Sequence, residues 1–95
     1  MPMNKREQEI VFAAMHGNTQ CFEELYKLYY EKIYALALTM TKNSADAEDV
    51  LQTVFVSAWK NIDSLENPAA FSTWLQRITV NRCNSLLRRR RPYIS

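Results

Sequence analysis

From Phe22 to Met40 the apolar positions Phe22, Leu25, Tyr29, Ile33, Leu36 and Met40 follow one another at steps of three and four residues. That spacing is one face of an α-helix. Asn18 or Thr19 is placed to cap its start. A second run, Val50, Leu51, Val54, Phe55, Ala58, Trp59 and Ile62, keeps the same period. There Ser44 is expected as the cap, with Asp46, Glu48 and Asp49 in the first turn, where carboxylates favour the helix dipole. A shorter helix from roughly Lys5 to His16 carries Ile10, Val11, Ala14 and Met15, and ends at Gly17, the sole glycine, suited to a cap of positive φ. After the loop "DSLEN", Asn67-Pro68 reads as a cap plus a first helical residue. The helix it opens turns Phe71, Leu75, Ile78 and Leu86 inward, with Thr79 and Cys83 beside them, and runs into the arginines until Pro92 stops it. With one Gly and three Pro in 95 residues there is little provision for hairpins. The expectation is an all-α fold, a compact bundle of about four helices over residues 1–91.

The fourth helix carries a second stripe. Trp74, Arg77, Asn81, Asn84 and Arg88 recur at steps of 3, 4, 3 and 4, so an aromatic, two amides and two guanidinium groups line one side. Arginine matches phosphate oxygens, Asn presents a donor and an acceptor to a base edge, and an aromatic ring gives an unstacked base a plane to lie on. The set suits nucleic acid that is at least partly single-stranded. A plainer account stands beside it: arginines favour a helix C-terminus through the dipole alone, and a Trp at helical spacing is commonly a core residue. Charge sharpens the picture. Residues 1–70 hold six Lys/Arg against ten Asp/Glu, a net −4, whereas residues 71–95 hold six Arg against no acid, a net +6. The split, hidden in an overall +2, points the C-terminal part at an anionic partner.

Other chemistry is excluded by what is missing from the pattern. Cys21 and Cys83 have no CxxC or His companion, so the sequence suggests free thiols, with no disulfide framework, no metal and no cofactor. There is no His-Asp-Ser set, paired acid cluster or glycine-rich phosphate loop, and His16 sits at a helix end, which argues against an enzyme. No apolar run approaches the roughly 18 residues of a membrane span, and "MPMNKREQE" has no apolar stretch behind its charges, so a cytoplasmic protein without membrane insertion is expected. The third helix offers Asp49, Gln52, Thr53 and Lys60 outside its apolar side, with Phe55 and Trp59 at the border. That mixture is found in protein–protein patches, and equally in a helix whose aromatics are simply core.

"DAEDVLQTVFVSAW" (46–59), a short polar loop, and "AAFSTWLQRITVNRCNSLLRRRR" (69–91) together resemble domain 2 of the bacterial sigma-70 family, specifically the extracytoplasmic-function group of RNA polymerase sigma factors. "CFEELYKLYYEKIYALALTMT" (21–41) is similar to the helix that precedes this motif there. The resemblance implies a transcription initiation factor domain in the bacterial cytoplasm. It would dock on the RNA polymerase core at the β′ clamp coiled coil through Asp49, Gln52, Thr53 and Trp59. It would also recognise and melt the promoter minus-ten element by capturing non-template strand bases. The loop from Ser64 to Ser72, with Ser64, Leu65, Asn67 and Phe71, would cradle a flipped base. Trp74 falls at the upstream edge of melting and Asn81 on a base-contacting site, with Asn84 further along that stripe. Arg77, Arg82, Arg88, Arg89, Arg90 and Arg91 would hold phosphates. An anti-sigma factor is a further partner such proteins can have.

This sequence departs from the family pattern at three places. Thr53 stands where an acid is common, Ser57 where a basic residue is frequent, and Leu65 where an aromatic is common. The family also carries a second DNA-binding domain, so the resemblance implies an excised or truncated form in which residues 92–95 begin an interdomain linker. A helical protein-interaction module with a basic, nucleic-acid-anchoring C-terminal helix is the alternative from another class.

Overall fold

Asn4 opens the first helix: its side-chain oxygen accepts from the Glu7 amide at 2.8 Å while the Glu7 carboxylate reaches back to the Asn4 amide. The structure, a computed structural model, describes residues 4–90. Four helices follow in order: α1 (Lys5–Met15), α2 (Thr19–Thr41), α3 (Ser44–Asn61) and α4 (Phe71–Arg90). Short 3-10 turns at Ile62–Ser64 and Pro68–Ala70 lead from α3 into α4. There is no strand among the described residues, and the all-α bundle expected from the periodicity is the fold observed. The proposed linker at 92–95 and Arg91 lie outside the described residues.

The connections have local causes. Gly17 takes φ +95°, a left-handed conformation that costs a residue without Cβ little, and its amide bonds the Ala14 carbonyl at 3.0 Å. Asn18 then caps α2, accepting from the Cys21 amide at 2.9 Å. Between α2 and α3 the turn is two residues long: Lys42 takes the left-handed region at φ 56°, and Asn43 caps α3 by accepting from the Asp46 amide at 3.0 Å. The cap is therefore Asn43, one residue before the expected Ser44, which is itself the first helical residue. Asn67 accepts from the Ala69 amide at 2.9 Å, and Pro68 begins a 3-10 turn that runs straight into α4.

The broadest contact is between α2 and α3, and α4 packs against both. The core holds Leu25, Tyr29, Ile33 and Ala37 of α2, Val50, Val54, Phe55 and Ala58 of α3, and Phe71, Leu75, Cys83 and Leu86 of α4, closed at one end by Val11 and Ala14 of α1. Phe71 and Tyr29 meet edge to face at 5.4 Å. Emptying such a fully buried aromatic site typically costs about 3–5 kcal/mol. Most of the apolar residues on the stripes read from the sequence are buried, but Ala37 rather than Leu36 faces inward, Met15, Phe22, Met40 and Ile78 are only half-buried, and Trp59 is exposed.

Candidate nucleic-acid interface

Along α4 the inner and outer stripes separate cleanly. Phe71, Leu75, Thr79, Cys83 and Leu86 are buried. Thr79, whose hydroxyl would otherwise be stranded there, donates to the Leu75 carbonyl at 2.8 Å. On the other side Arg77, Asn81, Asn84 and Arg88 are exposed and Trp74 is half-buried, its ring 5.9 Å from Phe71. Trp74 thus belongs to both readings made from the sequence: one face packs on the core and the rest stays open to a ligand. Asn81 and Asn84 make no hydrogen bond within the described residues, so their amides are available to a base edge.

Two of the expected nucleic-acid residues are placed elsewhere. Leu65 and Phe71 are core side chains, and cannot present a surface to a strand in this arrangement. They anchor the loop between α3 and α4, leaving Ser64, Glu66, Asn67 and Ala69 at the surface. The inner positions of this segment fall at Ile62, Leu65 and Phe71, with Pro68 half-buried; Phe71 opens the inner stripe already read for α4, whereas Leu65 stands between the long helices, where no helical period was read. Ser64 is turned back on its own chain, donating to the Asn61 carbonyl at 2.6 Å, and the Asn67 side-chain oxygen is taken up by its cap.

The arginines are not equivalent either. Arg90 Nη1 lies 2.5 Å from Asp46 Oδ2, and Arg82 Nη2 lies 3.7 Å from Asp49 Oδ2. The second pair joins a residue assigned to phosphate with one assigned to the polymerase patch, a contact the linear sequence did not signal. It is loose and its Asp is 61% exposed, so it contributes at most a fraction of 1 kcal/mol. Arg77, Arg88 and Arg89 form no ion pair among the described residues.

On α3, Asp49 and Gln52 are exposed and Thr53 is half-buried. Trp59 is 37% exposed and packs on Phe22 at 5.0 Å, while Phe55 is core. Two shallow grooves flank this face. One, of about 450 Å³, runs past Gln52, Thr53, Val56, Ser57, Lys60 and Asn61. The other, of about 370 Å³, lies between α2 and α3 and is walled by Phe22, Phe55, Val56 and Trp59. Val56, 55% exposed and shared by both, was missed from sequence. The available signal was an apolar residue off the inner stripe. No group of three or more His, Cys, Asp or Glu among the described residues is arranged to hold a metal, and no helix there is long and apolar enough to cross a membrane.

With that geometry in hand, comparison with known proteins is decisive. Residues 25–93 match Sigma-70 region 2, and the chain belongs to that family. It is 38% identical over 76 residues to the ECF RNA polymerase sigma factor SigW of Bacillus subtilis, covering 80% of this chain and 41% of that protein. To the ECF RNA polymerase sigma factor SigM of Mycobacterium tuberculosis H37Rv it is 33% identical over 89 residues, covering 94% and 45%. The chain therefore spans less than half the length of these relatives. Among solved structures, an engineered region 2 of sigmaE in complex with GTAAAA superposes with a TM-score of 0.79 at 32% identity, over 90% of each chain.

Proposed function

We propose that this chain is the part of a bacterial transcription initiation factor that docks on the RNA polymerase core and holds the opened non-template strand of a promoter minus-ten element. It would do so without catalysis of its own. The observation that carries the reading is the outer stripe of α4: Trp74, Arg77, Asn81, Asn84 and Arg88 stand in line on the open side of a fold shared with a region 2 that binds GTAAAA. Separating base pairs costs stacking and pairing. A protein offsets that cost by gripping phosphates and by taking up extruded bases, at about 1–3 kcal/mol for each base stacked on an aromatic ring. The α4 stripe has groups for both tasks, and the α3 face, with Asp49, Gln52, Thr53 and Trp59 beside two grooves, is the side left for the polymerase clamp. An anti-sigma factor would compete for the same open faces.

The test is discrimination. The 95-residue chain is titrated against a fluorescent single strand containing GTAAAA and against the same bases permuted. Preference for the ordered strand is expected. Equal affinity for both would favour the other reading, an interaction module whose basic helix anchors by charge alone.

A further inference from the structure

The core-facing stripe of α4 does not stop at its last apolar residue. Thr79, Cys83, Leu86 and Arg90 succeed one another at steps of 4, 3 and 4, so Arg90 occupies the position where that stripe passes the end of the core. The stripe of α3 begins with a charge: Asp46, Ala47, Val50, Leu51, Val54, Phe55 and Ala58 are its buried residues, and Asp46 is the only charged one. Two helices thus end their inner stripes with opposite charges at one place. The Asp46 side chain is only 12% exposed and meets Arg90, whose own side chain is 58% exposed, at 2.5 Å, bridging 44 residues of chain. Asn43 caps α3 by accepting from the Asp46 backbone amide, and the helix N-terminus favours a negative charge at that position. Arg88, two residues before Arg90, lies about 200° away round the helix, in line with Asn81 and Asn84 on the open side.

Building on the nucleic-acid reading of α4, we propose that Asp46 is a positioning residue that withdraws Arg90 from phosphate binding. Arg77, Arg88 and Arg89, with Arg82 held only loosely by Asp49, are then the described arginines of α4 that meet the backbone of a strand. The consequence is functional. Each phosphate contact adds sequence-blind affinity, about fivefold at 0.1 M salt for a single strand, so committing one arginine to a carboxylate lowers grip on every sequence alike. The contribution of bases read by Asn81 and its neighbours becomes a larger share of what remains.

The experiment is a salt series of anisotropy titrations on an oligothymidylate strand, with the 95-residue chain and its Arg90→Ala, Arg88→Ala and Asp46→Asn variants. Arg90→Ala is expected to keep the slope of log affinity against log salt. Arg88→Ala is expected to flatten it by about 0.7, and Asp46→Asn to steepen it by about 0.7 and tighten binding about fivefold at 0.1 M salt. A flattening by Arg90→Ala equal to that of Arg88→Ala overturns the proposal. So does an unchanged slope for an Asp46→Asn chain with intact helical circular dichroism. If Asp46→Asn does not fold, the Arg90→Ala slope decides alone. A parent chain with no salt-dependent binding contradicts the nucleic-acid reading instead. The withdrawal of Arg90 falls with that reading, whereas the two overturning outcomes above sink the withdrawal and leave the reading standing.

Discussion

At the scale of single residues, the proposed nucleic-acid role of α4 divides between Asn81 and Trp74. Asn81 is exposed, two turns beyond Trp74 on the same side, and its short amide supplies little attraction that is independent of sequence. Asn81→Ala is expected to reduce preference for the GTAAAA strand over a permuted one by about 1–3 kcal/mol, the scale of one good base contact, with unchanged affinity for random strands. Trp74 differs because its ring also packs on Phe71. Trp74→Ala should lower the melting temperature as well as impair opening of a duplex, while sparing a pre-melted one. Anisotropy titrations on duplex, bubble and single-stranded probes, read beside thermal melts, separate the two variants. An equal loss on all probes for Asn81→Ala would remove it from base reading. The exposure of Asn81 was legible in the sequence because helical phase is set within a few residues. The inward turn of Leu65 was not, because it sits in a loop where phase carries no information.

At the scale of elements, α3 works on two sides. Its inner side makes the broadest contact of the bundle, with α2, and its outer side carries Asp49, Gln52 and part of Trp59 between two grooves. A double change of Asp49→Ala and Gln52→Ala removes exposed polar atoms and one loose ion pair, so the melting temperature should barely move. Binding to a β′ clamp fragment, followed by titration calorimetry, should weaken at least tenfold. Unchanged affinity would remove the docking role from these residues. The patch composition was visible in sequence, but the grooves were not. Phe22 and Trp59 meet at 5.0 Å only because α2 and α3 pack side by side, and Val56 gains its place at the rim from the same packing.

At the scale of the whole molecule, the core contains two ionisable groups that burial holds in their neutral forms. Burial pushes the Cys83 thiol up from its ordinary value. The Tyr29 phenol is pushed up by burial first and by the Glu7 carboxylate second, with a hydrogen bond from Ser72 opposing both. In each case the folded chain keeps a proton that the unfolded chain releases, so stability is fully present below the unfolded pKa and falls as pH rises through the folded one. The melting temperature should therefore be level from about pH 7 to 8.5 and decline above that, the thiol acting first and the phenol from about pH 10. Cys83→Ala should melt lower at neutral pH, through the small cavity it leaves, yet decline less between about pH 8.5 and 10. A decline identical to that of the parent chain would place the alkaline sensitivity elsewhere.

The sequence by itself determined the four helices, their inner stripes, the outer row from Trp74 to Arg88, the charge split and the family. All of these follow from spacing within a few residues or from motifs written in order along the chain. The tertiary structure alone decided which charges are spent and which are free. Asp46 and Arg90 stand 44 residues apart and Asp49 and Arg82 belong to different helices, so no local period relates them. Whether a side chain at the end of a helical stripe meets water, phosphate or a carboxylate depends on where another helix begins, and only packing in three dimensions sets that.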